Sequence, residues 1–277
     1  MSLITLNSTN VVNSGNNTYT LNFTSTKNFD GFEISLVNAS FFYSNFNFTA
    51  ALNNNYFNYV WIDGTNVIVN IPNSYQDSTT LNTLLQQVMV LNNHYLIDAN
   101  GNYVYYLQIQ ENASLYSIQL NSLVLPAALG TLTYPSGHTW TTSAKTPQFI
   151  IPATNIRNNL GFNAQTFPVS QSNSTNQSLT SNFTPQITSV NSIFLCSNLA
   201  QNELSGVSTE VIYNINGSSV AFGDMISVSP YFSTWIKCKN LTASSITLYM
   251  IDQNYNPIIF QDNSMTFTIA IRKSMSR

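Results

Sequence analysis

Residues 32–43 have the sequence FEISLVNASFFY. Aromatic and β-branched side chains of this kind fit the pleated, half-buried surface of a β-strand. The same character continues to Phe48, and residues 19–24, YTLNFT, alternate apolar and polar side chains just before it. We therefore predict long β-strands in the N-terminal part of the chain.

The pattern of apolar residues in the C-terminal half predicts strands of the same kind. Several of its short apolar runs recur near the 8–12-residue spacing that is typical of sandwiches and barrels. This spacing favours an all-β fold. The runs lie at 193–196, 211–213, 226–228, 235–238, 246–251 and 265–271.

Turn-forming residues separate several of these runs. Asp63-Gly64, Asn100-Gly101 and Asn216-Gly217 each predict a two-residue type I′ hairpin turn, because they tolerate the positive φ angles that such a turn requires. Residues 170–184 form a polar tract between Pro168 and Pro185, for which we predict a long loop.

One segment has the period of an α-helix. After the capping candidates Asp77 and Ser78, apolar residues follow a helical spacing as far as the pair Asn92-Asn93. We expect a single amphipathic helix that covers a sheet. Its apolar positions are Leu81, Leu84, Leu85, Val88 and Met89.

The composition excludes several classes of protein. Only 7% of the 277 residues are charged and the net charge is -3, so little is available to build a nucleic-acid-binding groove. Hydrophobic residues make up 43% of the chain, which is unlike a disordered segment. No apolar run approaches the roughly 18 residues of a membrane helix. The first residues resemble no signal peptide.

The sequence offers few candidates for catalysis. Its two histidines, His94 and His138, lie in polar, loop-like stretches, where we expect loop or interface positions. No nucleophile-elbow motif accompanies them, as a hydrolytic triad on this pattern would require. Cys196 and Cys238 match no metal-binding spacing and are expected to be buried free thiols. We predict no catalytic, cofactor-binding or metal-binding residues and no enzyme.

The acidic residues also favour structural roles. Residues 98–102, DANGN, resemble the start of a calcium loop, but Tyr103 and Ile109 stand where that loop needs glycine and glutamate. A hairpin turn explains the same residues. The pairs Asp30/Glu33 and Asp252/Asp262 are the nearest neighbours among the acids, and we expect them at strand ends and turns.

A neutral surface indicates assembly. Isolated β-proteins protect their sheet edges with charge, especially lysine. A surface of amides and hydroxyls is easier to desolvate than one of ions, so neighbouring subunits can cover it. Glycan-binding modules use similar residues, and a lectin-like or spike domain that exposes Trp61, Trp140 or tyrosine clusters is an alternative.

Several blocks of the sequence resemble the minor capsid (penton) proteins of virophages and polinton-like viruses. They include the early strand at 32–44, IPNSY at 71–75, TPQFIIP at 146–152 and IDQNYNP at 251–257. Further blocks lie at 81–86, 93–98, 159–162, 184–187, 190–192, 196–199 and 269–272.

The resemblance implies a fold and a role. It implies a jelly-roll sandwich with an inserted β-rich upper subdomain that contains the one helix. Five copies would close each icosahedral vertex as a homopentamer, beside a double-jelly-roll major capsid protein, in a virion assembled inside the host cell. We predict a jelly roll from residues 1–50 and 127–277 and the inserted subdomain from 51–126. A glycosidase or esterase on a β scaffold is the weakest alternative.

Overall fold

The structure is a computed structural model that describes residues 1–13, 18–140, 144–187, 190–201, 210–216 and 220–274. The chain divides into two compact units. The first unit combines Met1–Phe46 with Val190–Arg277, and the second unit is Asn47–Ser189. The second unit is therefore an insertion in the chain of the first.

The described elements are mostly β-strands. In chain order they are β1 (Ser2–Leu6), β2 (Val11–Asn13), β3 (Thr18–Asn28), β4 (Phe32–Phe42), β5 (Tyr56–Val60), β6 (Asn66–Asn70), α1 (Ser78–Leu91), β7 (Leu96–Ile97), β8 (Tyr103–Val104), β9 (Leu107–Asn112), β10 (Ser117–Ser122), β11 (Gln148–Ile151), α2 (Ile156–Leu160), β12 (Gln165–Phe167), β13 (Gln177–Thr180), β14 (Ser192–Ser197), β15 (Val211–Asn216), β16 (Met225–Val228), β17 (Ile236–Lys237), β18 (Thr242–Asp252) and β19 (Thr266–Lys273).

The first unit is a jelly roll. One sheet has the strand order β1-β19-β4-β16, with β17 also paired to β4, and the other has the order β15-β14-β18-β3-β2. All of these pairs are antiparallel. Leaving out the short β2 and β17, the eight strands change sheet at every step along the chain except from β14 to β15. This is the order of a double Greek key, which defines a single jelly roll. The predicted all-β jelly-roll fold is confirmed.

The jelly-roll core lies between the two sheets. Aromatic and aliphatic side chains from both inner faces form one buried cluster. Tyr19 of β3 meets Phe267 of β19 edge to face, with ring centroids 5.4 Å apart. Phe41 of β4 lies 6.3 Å from Phe267 in the same cluster. The strands that begin and end the chain therefore share one core.

The second unit has its own core under several small sheets. β12-β11-β5-β6 form one sheet, β13-β10-β9 form another, and β7 pairs with β8. A separate buried cluster connects these sheets with α1 and α2. Each unit therefore buries a hydrophobic core of its own.

Helix α1 is the predicted amphipathic helix. Asp77 is its N-cap, and its carboxylate accepts a hydrogen bond from the backbone N–H of Thr80. The Thr80 hydroxyl accepts one from the backbone N–H of Asp77, which completes a capping box. Leu81, Leu85 and Met89 are buried. The helix packs against β9, and Asn82 accepts a hydrogen bond from the backbone N–H of Ile109 on that strand. It covers a sheet, as predicted.

The insertion extends further than the predicted 51–126. The contacts divide the chain at 46 and 190, so β11, α2, β12 and β13 belong to the second unit. The reason is long-range pairing. β11 pairs with β5, where Gln148 lies opposite Val60, and β13 pairs with β10, where Leu179 lies opposite Leu120. No local pattern in the sequence indicates these pairs.

Two predicted hairpins form, but their turn type differs from the prediction. Positive φ occurs at Gly64 and Gly101 and not at the residues before them, whereas a type I′ turn needs it at both positions. In each loop the glycine N–H bonds the carbonyl three residues earlier, at Trp61 or Asp98. This is the three-residue loop that ends in a left-handed glycine. The third site, Asn216-Gly217, includes a residue outside the described ones.

The polar tract at 170–184 is not all loop. β13 lies within it and pairs with β10. Only Leu179 among its four residues is apolar, and the polar side chains around it conceal the strand in the sequence. A polar strand at the edge of a sheet has the same composition as a loop, so the sequence does not distinguish the two.

Gly161 provides a sharp test of the second unit. It ends α2 with φ +78°, and a Cβ at this position would overlap the backbone carbonyl oxygen of Phe183. We expect Gly161→Ala to lower the free energy of unfolding by about 3 kcal/mol or more. The measurement is urea unfolding followed by tryptophan fluorescence.

The control for this test is Gly64→Ala. Gly64 also has positive φ, at +90°, but a Cβ there would meet no atom within 4 Å. Gly64→Ala should lower the free energy of unfolding by only about 1 kcal/mol, because the left-handed backbone conformation is the one source of strain. Equal losses for the two variants would contradict the overlap at Gly161.

Candidate functional site

The most distinctive surface of the jelly roll lies along one edge of its first sheet. We call β16 and the segment that follows it, residues 225–236, the aromatic edge. Tyr231 is 92% exposed and Phe232 is 78% exposed, and their rings meet edge to face at 4.6 Å. Met225 on β16 is also exposed. Large apolar side chains in such a group mark an interaction surface.

The aromatic edge carries no charge. Residues 225–236, MISVSPYFSTWI, contain no Asp, Glu, Lys, Arg or His. β16 ends the strand order of its sheet, and within the described residues it pairs only with β4. Natural proteins protect such an edge with charge, bulges or a covering element. The aromatic edge has no charged side chain of its own that would provide this protection.

Contacts at both ends hold the aromatic edge against the sheet. Near its start, the Asn38 side-chain amide donates to the Ser229 hydroxyl at 2.9 Å. At its end, the guanidinium of Arg272 lies 3.9 Å from the ring centroid of Trp235, a cation–π contact. Tyr231 and Phe232 are therefore displayed by a segment fixed on either side of them.

An ion pair supports the Trp235 end. Arg272 on β19 bonds Glu33 on β4 at 3.0 Å through both Nε and a terminal nitrogen. The Ser274 hydroxyl donates to the other carboxylate oxygen of Glu33 at 3.1 Å. A planar guanidinium can satisfy a carboxylate and stack on an aromatic ring at once, which lysine cannot do.

A cleft of about 670 Å³ lies beside Trp235 and β17. Its lining contains one cation, Lys237, and one acid, Asp30, among neutral side chains and backbone. The aromatic edge and this cleft offer apolar and polar contacts side by side. This combination suits recognition of another chain.

A second ion pair lies on the other sheet. Lys239 pairs with Glu210, and the Tyr249 hydroxyl donates to the other oxygen of the same carboxylate. Burial, followed by the hydrogen bond to Glu210, raises the pKa of Tyr249 well above its ordinary value. The network therefore consists of a neutral tyrosine and an ion pair held in place. We assign it a structural role.

His94 lies in the loop between α1 and β7, as predicted, but its side chain is buried in the core of the second unit. It is only 5% exposed, stacks on Trp61 at 4.9 Å and shares a 2.8 Å hydrogen bond with the Tyr59 hydroxyl. Burial lowers the pKa of His94 to about 4, with Asp63 opposing this shift and His138 adding to it. The neutral ring is therefore a packing element.

The tryptophans proposed for glycan binding occupy the same cluster. Trp61 is fully buried, so it cannot serve as an exposed platform. Trp140 is half-buried and meets the rings of Trp61 and Tyr134 edge to face. His138 lies 6.3 Å from Trp140. The prediction that Trp61 is exposed is wrong, because composition does not indicate which aromatic residues the core takes in.

Three of the candidate acids, Asp98, Asp252 and Asp262, lie in turns and cap them. The Asp98 carboxylate accepts the backbone N–H groups of Asn100 and Asn102. Asp252 does the same for Asn254 and Asn256, and Asp262 accepts the N–H of Ser264. Asp30 lines the cleft beside Trp235, while Glu33 bonds Arg272.

The two cysteines are buried free thiols, as expected. Burial, and to a smaller degree Glu210, raises the pKa of Cys196 to about 12. Burial, with a smaller effect of Glu33, raises the pKa of Cys238 to about 11. Because the thiolate is the nucleophile, neither side chain is activated.

Among the described residues, no group of three or more His, Cys, Asp or Glu side chains is placed to hold a metal ion. In the same part of the chain, no helix is long and apolar enough to cross a membrane. Sequence reasoning missed the aromatic edge, and no local signal marks it, because longer uncharged runs such as 158–202 occur elsewhere in the chain.

Comparisons with known proteins found similarity at the level of structure. Neither a family model nor a curated protein matches the sequence. The crystal structure of the mavirus penton protein is similar with a TM-score of 0.45 and 10% identity, over 99% of this chain and 98% of that chain. A chain of the Sputnik virophage structure is similar with a TM-score of 0.38 and 11% identity, over 99% and 98%. The jelly-roll assignment follows from this chain's own strand order.

The buried histidine predicts a pH dependence. Because the pKa of His94 falls from 6.5 to about 4 on folding, the unfolded chain binds more protons between these values. Stability is therefore complete above pH 6.5 and declines as the pH falls toward 4. We expect a loss of about 2 kcal/mol between pH 7 and pH 5. Urea titrations followed by tryptophan fluorescence measure it.

His94→Phe provides the comparison. It keeps an aromatic ring against Trp61 but has no group that titrates. The variant should be less stable at pH 8, because the buried Tyr59 hydroxyl loses its partner. Its stability should change much less between pH 7 and pH 5. An unchanged pH slope in this variant would show that other groups control the dependence.

Proposed function

We propose that this protein is a structural viral capsid protein, the penton subunit, which forms homopentamers at icosahedral vertices beside a double-jelly-roll major capsid protein. It would be located in the virion and assemble inside the host cell. The observation that carries the proposal is a single jelly roll whose sheet ends in an uncharged, aromatic, exposed edge. The sequence blocks that resemble virophage pentons agree with this role.

Jelly rolls serve capsids, lectins and cupins, so the fold alone does not decide the function. The jelly-roll unit contains no histidine, since His94 and His138 both lie in the insertion. Histidine is the commonest metal ligand, so this sequence disfavours cupin chemistry. The scarcity of ions favours extensive contacts with other subunits, because few charges must be desolvated.

The two ends of the first sheet differ, and this supports a ring. The strand order places β1 at one end and β16 at the other. β1, with the sequence SLITL, is also uncharged, and its Leu3 is exposed. Contact between unlike surfaces of successive copies is heterologous and closes into a cyclic oligomer when the rotation allows. In our proposal the aromatic edge of one subunit meets the β1 side of the next.

The oligomeric state tests the proposal. We expect the purified protein to have the mass of a pentamer by native mass spectrometry and to form five-fold rings in negative-stain images. The double variant Tyr231→Ser, Phe232→Ser should be monomeric, because each contact between subunits loses both of its aromatic anchors. Leu3→Ser should weaken the ring from the other side. The melting temperature of the isolated subunit should not fall, since these side chains are exposed.

Leu91→Ser is the matched control. Leu91 is an equally exposed apolar residue at the end of α1 in the second unit, so its replacement should leave the pentamer intact. A wild-type protein that stays monomeric at high concentration and does not enter shells with the major capsid protein would contradict the proposed function. A pentamer that survives the double variant would contradict only the proposed edge.

A further inference from the structure

One face of the sheet β13-β10-β9 of the second unit is made of amides and hydroxyls, of which Gln110 and Ser178 are exposed and Asn121 is buried. We call it the amide face. The register places Gln119 opposite Gln110 and Asn121 opposite Gln108, so these four side chains share one side of the sheet. Leu107, Ile109 and Leu120 alternate with them and are buried in the core. The amide face completes its row with Asn112, Ser178 and Thr180.

A chain of hydrogen bonds fixes the orientation of these groups. Asn121 donates to Gln110 and accepts from Gln119 and Ser178, each at 2.9 Å. Gln110 donates in turn to Gln108 at 3.2 Å. Each amide has two donors and two acceptor lone pairs. Gln110 and Gln119 therefore keep hydrogen-bonding capacity for a ligand, while their positions are already set.

The hairpin between β9 and β10 presents a strained aromatic residue at the end of this face. Tyr116 has φ 49° and ψ 52°, in the left-handed region that costs an ordinary residue about 1 kcal/mol or more. Its side chain is 75% exposed. A glycine would occupy this position without strain. The fold of the hairpin therefore does not explain a tyrosine here.

Hydrogen bonds connect this turn to the amide face. The Ser114 hydroxyl donates to Asn112 at 2.8 Å, and Asn112 donates to Gln119 at 3.4 Å. The turn also exposes Leu115 beside Tyr116. The turn that exposes Tyr116 and Leu115 is therefore connected by hydrogen bonds to the row of oriented amides.

We propose that Tyr116 and the amide face bind a neutral glycan. A tyrosine ring offers a flat apolar surface with little conformational freedom, on which the C–H face of a sugar ring can lie. Oriented amides match vicinal hydroxyls, which also donate and accept at once. The amides are held in place before the ligand arrives, which lowers the entropic cost of binding.

The charges of the sheet decide the class of ligand. Glu111 is the one charged residue in the sequences of β9, β10 and β13, and it alternates with Gln110 and Asn112 toward the opposite side. An acidic or sulfated glycan would find no cation on this face. The strongest contacts of a protein interface are aromatic or arginine anchors near its centre, and the amide face has its aromatic residue only at its end, unlike the aromatic edge. A neutral polyhydroxylated ligand fits both observations.

This site differs from the tryptophans that the composition suggested. Trp61 is buried and Trp140 packs within the same cluster. The amide face lies wholly within the second unit, apart from the aromatic edge of the first. The inference goes beyond the proposed capsid role and stands or falls separately from it.

The test is binding of the full chain to an array of immobilised neutral, sialylated and sulfated oligosaccharides. We expect retention on neutral glycans, unchanged between low and high salt because no ion pair forms. Calorimetry with the strongest neutral oligosaccharide should then show a loss of affinity of about tenfold or more for Tyr116→Ala and for Gln119→Ala.

Two further variants separate binding from folding. Tyr116→Gly removes the ring and the strain together, so it should lose affinity as Tyr116→Ala does without a fall in melting temperature. Tyr255→Ala is the matched control, because Tyr255 is also an exposed tyrosine with positive φ, but in the first unit. It should bind like the wild type. Binding to acidic glycans alone, no binding to any glycan, or equal affinity in Tyr116→Ala and the wild type would overturn the proposal. The pentamer measurement is unaffected by any of these results.

Discussion

The jelly roll depends on contacts between the two ends of the chain. β4 pairs with β19 along most of its length, from Phe32 opposite Lys273 to Ser40 opposite Thr266. Phe267 of β19 then joins Phe41 in its own sheet and Tyr19 in the facing sheet. Aromatic pairs of this geometry contribute about 0.5–1.5 kcal/mol beyond the burial of their surface. The core around β3 and β4 is therefore incomplete until β19 has paired with β4.

This constraint also explains why a whole unit can be inserted without damage. β4 belongs to one sheet and β14 to the other, so the connection between them crosses from sheet to sheet. An insertion at this point interrupts no ladder of hydrogen bonds. The inserted residues 47–189 bury their own cluster around Phe57, Leu85 and Phe149.

The sequence predicted what depends on local order. The capping box at Asp77 and the spacing of Leu81, Leu85 and Met89 were sufficient for α1, and alternation was sufficient for most jelly-roll strands. The limits of the insertion were missed because β11 and β13 belong to it only through pairing with distant strands. The turn type at Gly64 and Gly101 was missed because Asp-Gly and Asn-Gly suit both kinds of loop.

The candidate sites were less predictable, because exposure is a property of packing. Composition correctly indicated a neutral surface with aromatic residues, but not which aromatic residues lie outside. Trp61 and His94 entered the core, whereas Tyr231 and Phe232 stayed at the surface. The sequence carries no local signal for Tyr231 and Phe232, because uncharged runs are common in this chain and the strand order is known only from the fold.

The few charges of the jelly roll follow the same physical logic as its neutral surface. Glu33 and Arg272 neutralise each other at the point where Trp235 is fixed, and Glu210 and Lys239 do so on the other sheet. The ions in these positions are already paired. A subunit that covers the surface near them therefore does not have to desolvate an unpaired charge. What then remains to be covered consists of amides, hydroxyls and aromatic rings. Such groups are less costly to desolvate than ions when new hydrogen bonds replace those to water, and both the proposed assembly edge and the proposed glycan site depend on this property.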